Sequence, residues 1–509
     1  MENKNMTNFE FGLKFIKQYD EPNSSSIINR LETLKDAGKH FSDIRSIDPL
    51  TKKELQYVDL VQEGGGTLGI SLVGYIFVLE YVGIRFLRLA GTSAGAINAL
   101  FLAAIGEKHE PKSPELLKIM TSEDFNLFKF VDGSRFAKFM IRSLIRKDNW
   151  FLGLVIFFIV TASLVLVILP LMNLINQKLE IVYLVFLAIF VPLTIIAGYQ
   201  FFKFKKSNFG INPGNYFLKN FLEERLEHDY QVKTTADLNK KARYVGDNAI
   251  NLNDENNKLG LRYCFSQINS SSANAERIYE ISKEYKTNNP SLAVDYCFIA
   301  ADINNQLKVS FPNDAKLYWE KPEEVNPAKY VRASMAIPVF FEPFKSDKIT
   351  SKLLSVWEKE GFDIKRCKPS HGVFIDGGSI SNFPINQLHK ANIQLARLPI
   401  FGVRIAESKD EKPKEINSLL AYAGRVINTI RGQEDKSFLR KYQFYLKNSV
   451  SDINTFDTKI SWLNFNLNEK EKATLFIKGV ETALDFLEKF DWDNYREERM
   501  KLYDSENQQ

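Results

Sequence analysis

Gly83-Ile84-Arg85-Phe86-Leu87-Arg88-Leu89-Ala90-Gly91-Thr92-Ser93-Ala94-Gly95, followed by Ala96-Ile97-Asn98-Ala99-Leu100-Phe101-Leu102-Ala103-Ala104, decides the fold. Gly83 to Ala90 reads as a short strand and Ala96 to Ala104 as a helix. Between them lies the pentapeptide Gly91-Thr92-Ser93-Ala94-Gly95. A strand, a Gly-x-Ser-x-Gly turn and a helix make a nucleophile elbow of an α/β sheet. Gly91 and Gly95 let the backbone turn sharply and leave no side chains to crowd the serine. The helix starts at the serine, so its positive end faces charge that develops there. Small residues also cluster in ordinary loops, so the elbow needs support from elsewhere in the chain.

A second glycine cluster lies upstream, Glu63-Gly64-Gly65-Gly66-Thr67-Leu68-Gly69. Tyr57 to Val61 before it reads as a buried strand, and the apolar run Ile70 to Tyr81 after it as a helix. Such a loop points unshielded backbone N–H groups at an anion. The spacing fits a nucleotide-phosphate loop. A dinucleotide fold, however, wants an acidic ribose partner about twenty residues on. Arg85, Arg88 and the serine elbow stand there instead. The alternative is an oxyanion hole, in which the amides of Gly65 and Gly66, with that of Ala94, hold the oxygen of a tetrahedral intermediate.

The third piece is Ile375-Asp376-Gly377-Gly378. The strand His371 to Ile375 delivers Asp376 to its end, and the ends of parallel strands carry the chemistry of open α/β sheets. Read alone, Asp-Gly-Gly is also an ordinary turn. Beside the other two clusters, Asp376 is the expected general base.

These three motifs, in this order, closely resemble the patatin-like phospholipase family. The match covers Gly64-x-Gly66-x-x-Gly69, Gly91-x-Ser93-x-Gly95 and Asp376-Gly377-Gly378. Arg332-Ala333-Ser334-Met335-Ala336-Ile337-Pro338-Val339-Phe340-Phe341 resembles the family's Ala-Ser-x-x-Ile-Pro-x-x-Phe segment. The resemblance spans about Tyr57 to Arg404. Members often carry an acidic residue before the glycines and a basic one before the last. Glu63 keeps the first, while Leu68 replaces the second, so a different anchoring of this loop is expected. The resemblance implies an α/β domain with a central, largely parallel sheet flanked by helices, with no cofactor and no metal. It also implies a Ser93–Asp376 dyad without histidine. Asp376 would take the Ser93 proton as Ser93 attacks an ester carbonyl, then activate the water that hydrolyses the acyl-enzyme.

The histidines agree with a dyad. There are five: His40, His109, His228, His371 and His389. An α/β-hydrolase triad needs one after the acid, and only His389 follows it.

Composition excludes little else. The hydrophobic share is 45%, the charged share 25% and the formal charge +5 over 509 residues, too small to argue nucleic-acid binding. Cys264, Cys297 and Cys367 have no metal spacing and read as reduced, buried thiols of a cytosolic domain. Met1-Glu2-Asn3-Lys4-Asn5-Met6 is polar and gives no signal-peptide core.

Averages hide the stretch Phe151 to Phe202. Phe151–Ile175 and Ile181–Phe202 carry no charge. Each is long enough for a bilayer's hydrocarbon core, which takes about 20 helical residues. Asn176-Gln177-Lys178-Leu179-Glu180 would be the turn between them. Arg142, Arg146 and Lys147 precede the pair, and Lys203, Lys205 and Lys206 follow it. The positive-inside rule keeps both flanks in the cytoplasm. The expectation is a two-pass transmembrane hairpin inserted in the catalytic domain, with that domain on the cytoplasmic face.

The expected layout is a helical leader over 1–56, a catalytic domain over 57–404 with the hairpin at 151–202 inside it, and a helical region over 405–509. Ile27, Ile28, Leu31 and Leu34 mark a leader helix. Phe476, Ile477, Val480, Leu484 and Leu487 mark a late helix that packs on the catalytic domain. Val294–Ala301 and Leu307–Phe311 read as strands joined at Asn304-Asn305, and the polar segments 251–258 and 267–275 as loops. The function these features imply is a membrane-anchored acyl hydrolase acting on phospholipid or lysophospholipid in the bilayer. Neutral-glyceride hydrolysis, acyl transfer and a non-catalytic lipid-binding scaffold are the alternatives. Oligomeric state is not legible.

Overall fold

Tyr57–Val61 and Ile84–Ala90 are apolar enough to be covered on both faces, and they become neighbouring central strands of one sheet. The computed structural model describes residues 6–132, 210–249, 262–263, 296–406 and 432–507, less short gaps (20–22, 49, 123–124, 126, 131, 211, 246–247, 390–395, 463 and 465–466), with isolated helical positions between 188 and 205. Its strands are β1 (Ile44–Ile47), β2 (Glu54–Gln62), β3 (Ile84–Thr92), β4 (Tyr244–Val245), β5 (Asn248–Ala249), β6 (Arg262–Tyr263), β7 (Tyr296–Asp302), β8 (Leu307–Phe311), β9 (Phe344–Lys345), β10 (Val373–Asp376), β11 (Ile400–Ala406) and β12 (Val450–Asn454). The main sheet runs β12-β11-β2-β3-β7-β10-β9, with β1 on β2, β6 on β1 and β8 on β7. β4 and β5 pair separately.

The sheet is mixed, which corrects the expectation of a largely parallel one. β12, β11, β2, β3 and β7 are parallel to their neighbours along that run. β10 runs antiparallel to both β7 and β9, and β1 antiparallel to β2. β7 and β8 form a hairpin because the turn between Asp302 and Leu307 is too short for a crossover. Asp376 therefore ends an antiparallel strand.

Helices cover the sheet. α1 (Met6–Tyr19) and α2 (Ser24–Asp36) precede it, α3 (Ile70–Tyr81) follows the glycine loop, and α4 (Ala94–Ala104) follows the elbow. Every residue of α3 and α4 is buried, which explains why neither has a polar stripe. α2 buries Ile27, Leu31 and Leu34, as their spacing predicts, while Ile28 is only partly covered. The helix Glu469–Lys489 opens on a capping box of Asn468 and Glu471 and buries Phe476, Ile477, Val480, Leu484 and Leu487. It lies directly on α3, so close that a side chain at Gly479 would collide with the Ser71 carbonyl oxygen. Phe9 and Phe15 of α1 pack their rings on Phe77 and Phe476 respectively.

All of these elements belong to one unit, Met1–Leu127, Phe217–Ala336 and Phe344–Gln509. A second unit comprises Phe128–Tyr216 and Ile337–Pro343. Within it Asn212 is the knot. Its Nδ2 donates to the Phe130 carbonyl (2.7 Å), its N–H donates to the Phe340 carbonyl (2.9 Å), and its carbonyl accepts from the Glu342 N–H (2.7 Å). The Asp132 carboxylate accepts from the Gly214 and Tyr216 N–H groups, at 3.0 and 2.9 Å. The segment between Asp132 and Asn212 thus leaves and returns at one place. The hairpin expected at 151–202 falls in that segment and, save for isolated positions, lies outside the described residues. Among the described residues no helix is long and apolar enough to cross a membrane. The segments 251–258 and 267–275 and Cys264 also lie outside them. Cys297 is buried, but Cys367 is exposed at the end of the short helix Ile364–Cys367, against the expectation of buried thiols.

Candidate active site

The elbow forms as its sequence demands. β3 runs to Thr92, α4 begins at Ala94, and Ser93 between them has φ +53° and ψ −117°. That is a strained conformation for a residue with a side chain. Close packing holds it. A side chain at Gly91 would collide with the Gly95 carbonyl oxygen, and one at Gly95 with the Gln62 carbonyl oxygen. The Ser93 N–H donates to Ser334 Oγ at 2.9 Å. Ser93 itself is buried.

The glycine loop flanks this turn. A side chain at Gly64 would begin 3.0 Å from Ser93 Cβ, and one at Gly69 would begin 2.7 Å from Ala94 Cβ. The Gly64 N–H donates to the Asn382 carbonyl and the Thr67 N–H to the Trp462 carbonyl. Among the described residues the N–H groups of Gly65, Gly66 and Ala94 donate to nothing. Three unpaired amides around a strained serine are what an oxyanion hole requires. The departure at Leu68 has a structural counterpart. Leu68 is buried, and the loop is tied instead through Thr67, whose Oγ1 donates to the carbonyls of Ser461 and Trp462 at 3.2 and 3.1 Å.

Asp376 reaches the same place by strand register. Thr92 of β3 pairs with Ile299 of β7, and Asp376 of β10 pairs with Ala300. Ser93 and Asp376 therefore sit at one level on either side of β7, two strand spacings or about 10 Å apart by backbone. Asp376 is buried, and its Oδ1 accepts from the Gly378 N–H at 2.7 Å. Thr92 Oγ1 donates to the Ser381 carbonyl at 3.0 Å, binding the elbow to the loop that follows Asp376. A side chain at Gly377 would begin 3.0 Å from Thr92 Cγ2.

Each histidine has its contacts elsewhere. His389 Nδ1 meets the Tyr445 hydroxyl at 2.7 Å, and its ring packs on Phe438 and Tyr442. Burial pulls its pKa down to about 4. Its neighbour Leu388 accepts from Arg88, five residues before Ser93 on an extended strand, so His389 belongs to a different level of the sheet. His371 meets Ser370 Oγ, His109 lies by Glu107, His40 by Asp43 and Arg45, and His228 is exposed. Arg88 is committed to a buried pair with Asp59.

Three supporting residues are not among the site residues expected from the sequence, although Ser334 lies in the Ala-Ser-x-x-Ile-Pro segment. Ser334 holds the elbow amide, and two residues later the Ala336 carbonyl accepts the Asp376 N–H at 2.8 Å. The Ala-Ser-x-x-Ile-Pro segment thus grips both proposed catalytic residues, a role its recurrence could have signalled. Asn382 and Asp435 tie the aspartate loop down. Asp435 accepts from Ser381 Oγ (2.6 Å), the Asn382 N–H (2.7 Å) and the Phe383 N–H (2.9 Å). Among the described residues no cluster of side chains could hold a metal ion.

A family model described as patatin-like phospholipase matches residues 60–389. An uncharacterized protein of Bacillus subtilis, YqhO, is 23% identical over 437 residues, covering 85% of this chain and 99% of that one. A stretch of 99 residues is 31% identical to triacylglycerol lipase 4 of Saccharomyces cerevisiae, 19% of this chain and 10% of the yeast protein. Among solved structures, VipD from Legionella pneumophila aligns with a TM-score of 0.35 at 13% identity, over 88% of this chain and 71% of that one.

Proposed function

This chain belongs to the patatin-like phospholipase family, and we propose that it cleaves acyl esters of bilayer phospholipids or lysophospholipids through Ser93 and Asp376. It is a lipid hydrolase; the dyad, the headgroup class and the anchorage are our reading. One observation carries it: the unpaired amides of Gly65, Gly66 and Ala94 beside a strained, buried Ser93. Ser93 Oγ attacks the ester carbonyl as Asp376 takes its proton. A carboxylate with an ordinary pKa near 3.9 is a weak base for an alcohol, so transfer is concerted with attack. The three amides receive the oxyanion. Loss of one such donor costs about 10²- to 10³-fold in turnover. The tetrahedral intermediate collapses to an acyl-Ser93 ester as Asp376 passes its proton to the departing glycerol oxygen, which leaves as the deacylated lipid alcohol and returns Asp376 to its carboxylate form. Asp376 then activates water, which frees the fatty acid and restores Ser93.

Residues 151–202 serve in this reading as a two-pass anchor with the catalytic unit on the cytoplasmic face. Their uncharged length and basic flanks support it. So does the neck at Asp132 and Asn212, where an inserted segment can leave and return. The described helical residues Ile195, Tyr199 and Phe202 are each about 65% exposed, large apolar side chains suited to lipid. Anchoring raises the local concentration of a substrate that barely exists in water.

Hydrolysis of neutral glycerides by the same residues is the second reading, favoured by the stretch shared with the yeast triacylglycerol lipase. Lipid analysis of phospholipid membranes carrying triacylglycerol, incubated with wild type and with Ser93→Ala, decides between them. Ser93-dependent loss of phospholipid with free fatty acid supports the first reading. Loss confined to triacylglycerol supports the second.

A further inference from the structure

Asn382 lies six residues after Asp376, on the same loop, and grips Gly64 by both of its backbone polar groups. Its carbonyl accepts the Gly64 N–H at 3.0 Å, and its Nδ2 donates to the Gly64 carbonyl at 2.9 Å. The same Nδ2 donates to Glu63 Oε1 at 3.1 Å, while Glu63 Oε2 accepts the Ile405 N–H at 2.7 Å. Facing two acceptors, that amide end must be the donor. Its Oδ1 fits between two motif glycines. A side chain at Gly64 or at Gly378 would begin 2.5 Å from it. Both positions are glycine because Asn382 occupies the space between the glycine loop and the aspartate loop.

The Gly64 carbonyl and the Gly65 N–H belong to one peptide unit. In a trans peptide they point in opposite directions. Whatever fixes the direction of the carbonyl fixes that of the N–H. We infer that Asn382 is a positioning residue, which aims the Gly65 N–H at the oxyanion by holding the Gly64 carbonyl from behind. Glu63 and Asp435 are its two supports, one on its side-chain amide and one on its backbone N–H. One loop thereby carries the general base and sets the direction of the oxyanion donor. The inference rests on the hydrolase reading for its effect on rate, though not for the clamp itself.

The charged groups around this clamp set the behaviour of a carboxylate placed there. Glu63 is held neutral towards pH 7 chiefly by burial, with Arg404 of β11 opposing the shift and Asp452 of β12 adding to it. Asp435 is likewise raised by burial, and the Asp376 carboxylate faces the same spot, since a side chain at Gly378 would begin 2.5 Å from Asn382 Oδ1 and 2.9 Å from Asp376 Oδ1. Asn382→Asp keeps the shape and removes both donations; a neutral Glu63 can still donate its own proton to the new carboxylate, but an oxygen now faces the Gly64 carbonyl and nothing grips it. Its kcat on a short-chain nitrophenyl ester should fall about 10- to 100-fold, less than removal of a donor outright, with KM within about 2-fold. The loss should shrink as the pH is lowered towards 5, where the new carboxyl protonates and can donate again. Asn382→Leu should lose as much and recover nothing with pH. In Glu63→Gln with Asn382→Asp, residues 63 and 382 can bond but Gly64 stays ungripped, so kcat should remain low.

Hydrogen exchange of the full chain in detergent reads the clamp without substrate. Peptides covering Gly64–Gly69 should exchange faster in Asn382→Leu than in wild type. Unchanged exchange, unchanged kcat, a pH-independent loss in Asn382→Asp, or recovery in the double variant would each overturn the assignment. A wild type without Ser93-dependent turnover would sink the hydrolase reading instead, and the exchange result would still decide the clamp.

Discussion

Replacing Glu63 by glutamine should change how stability depends on pH. Burial raises the Glu63 carboxyl from 4.5 to about 7, against the Ile405 amide, Arg404 and Asn382, which favour its charged form. The folded chain therefore keeps a proton that the unfolded chain releases above pH 4.5. The stability that this confers is full below 4.5 and is lost as the pH rises through 7. A rise of this size corresponds to at most about 3 kcal/mol, an upper figure because the residue is only half-buried and solvent screens part of the field. The Glu63→Gln chain has no proton to lose at this position, and its amide oxygen can still accept from the Ile405 N–H. Urea unfolding of both chains in detergent, followed by tryptophan fluorescence at pH 4.5, 6 and 8, isolates the effect. Titrations elsewhere cancel in the difference between the two. The variant should gain about 2–3 kcal/mol on wild type between pH 4.5 and 8. A difference that stays flat would refute the argument, because it would mean that Glu63 ionises in the folded protein as it does in the unfolded one.

Ser334→Ala removes the acceptor of the Ser93 N–H, and a buried donor left unpaired costs about 1–3 kcal/mol. We expect kcat to drop about 10-fold or more at unchanged KM as the elbow relaxes; a normal kcat would mean that packing alone holds Ser93. Gly479→Ala drives a methyl group into the Ser71 carbonyl and should lower stability by about 1–3 kcal/mol, seen as a lower Tm. An unchanged Tm would show that the helix Glu469–Lys489 does not bear directly on α3. Replacing 151–202 with a short Gly/Ser linker should give a protein that leaves the membrane fraction, cleaves dispersed short-chain esters and acts poorly on bilayers. If the shortened chain still resisted alkaline extraction, the anchor would lie elsewhere.

The elbow is legible in the sequence because its determinants are local. Two glycines and a serine within five residues dictate a turn whatever surrounds it, and the strand and helix on either side are apolar runs of the right length. The helix Ile70–Tyr81 and the buried stripe from Phe476 to Leu487 are legible for the same reason, as each is written in its own run of residues. The direction of β10 is not, because nothing in Val373–Asp376 says which neighbour it will pair with. The supports of the site are least legible. Ser334 meets Ser93 across 241 residues and Asn382 meets Gly64 across 318. Neither residue type announces such a contact, and only the closed fold brings the partners together. Glu63 stands out as an acidic residue before the glycines. That it is held by Asn382 and the Ile405 amide, and is neutral towards pH 7, depends on burial that the sequence does not record.

In the proposed mechanism Ser93 and Asp376 hydrolyse lipid esters without a histidine. Fatty-acid release from mixed phospholipid–detergent micelles by wild type, Ser93→Ala, Asp376→Ala and His389→Ala, each shown to be folded by circular dichroism, tests it most directly. The first two variants should give no release above background, and His389→Ala most of the wild-type rate. A folded His389→Ala as inactive as Ser93→Ala, or an Asp376→Ala chain that still turns over, would contradict it.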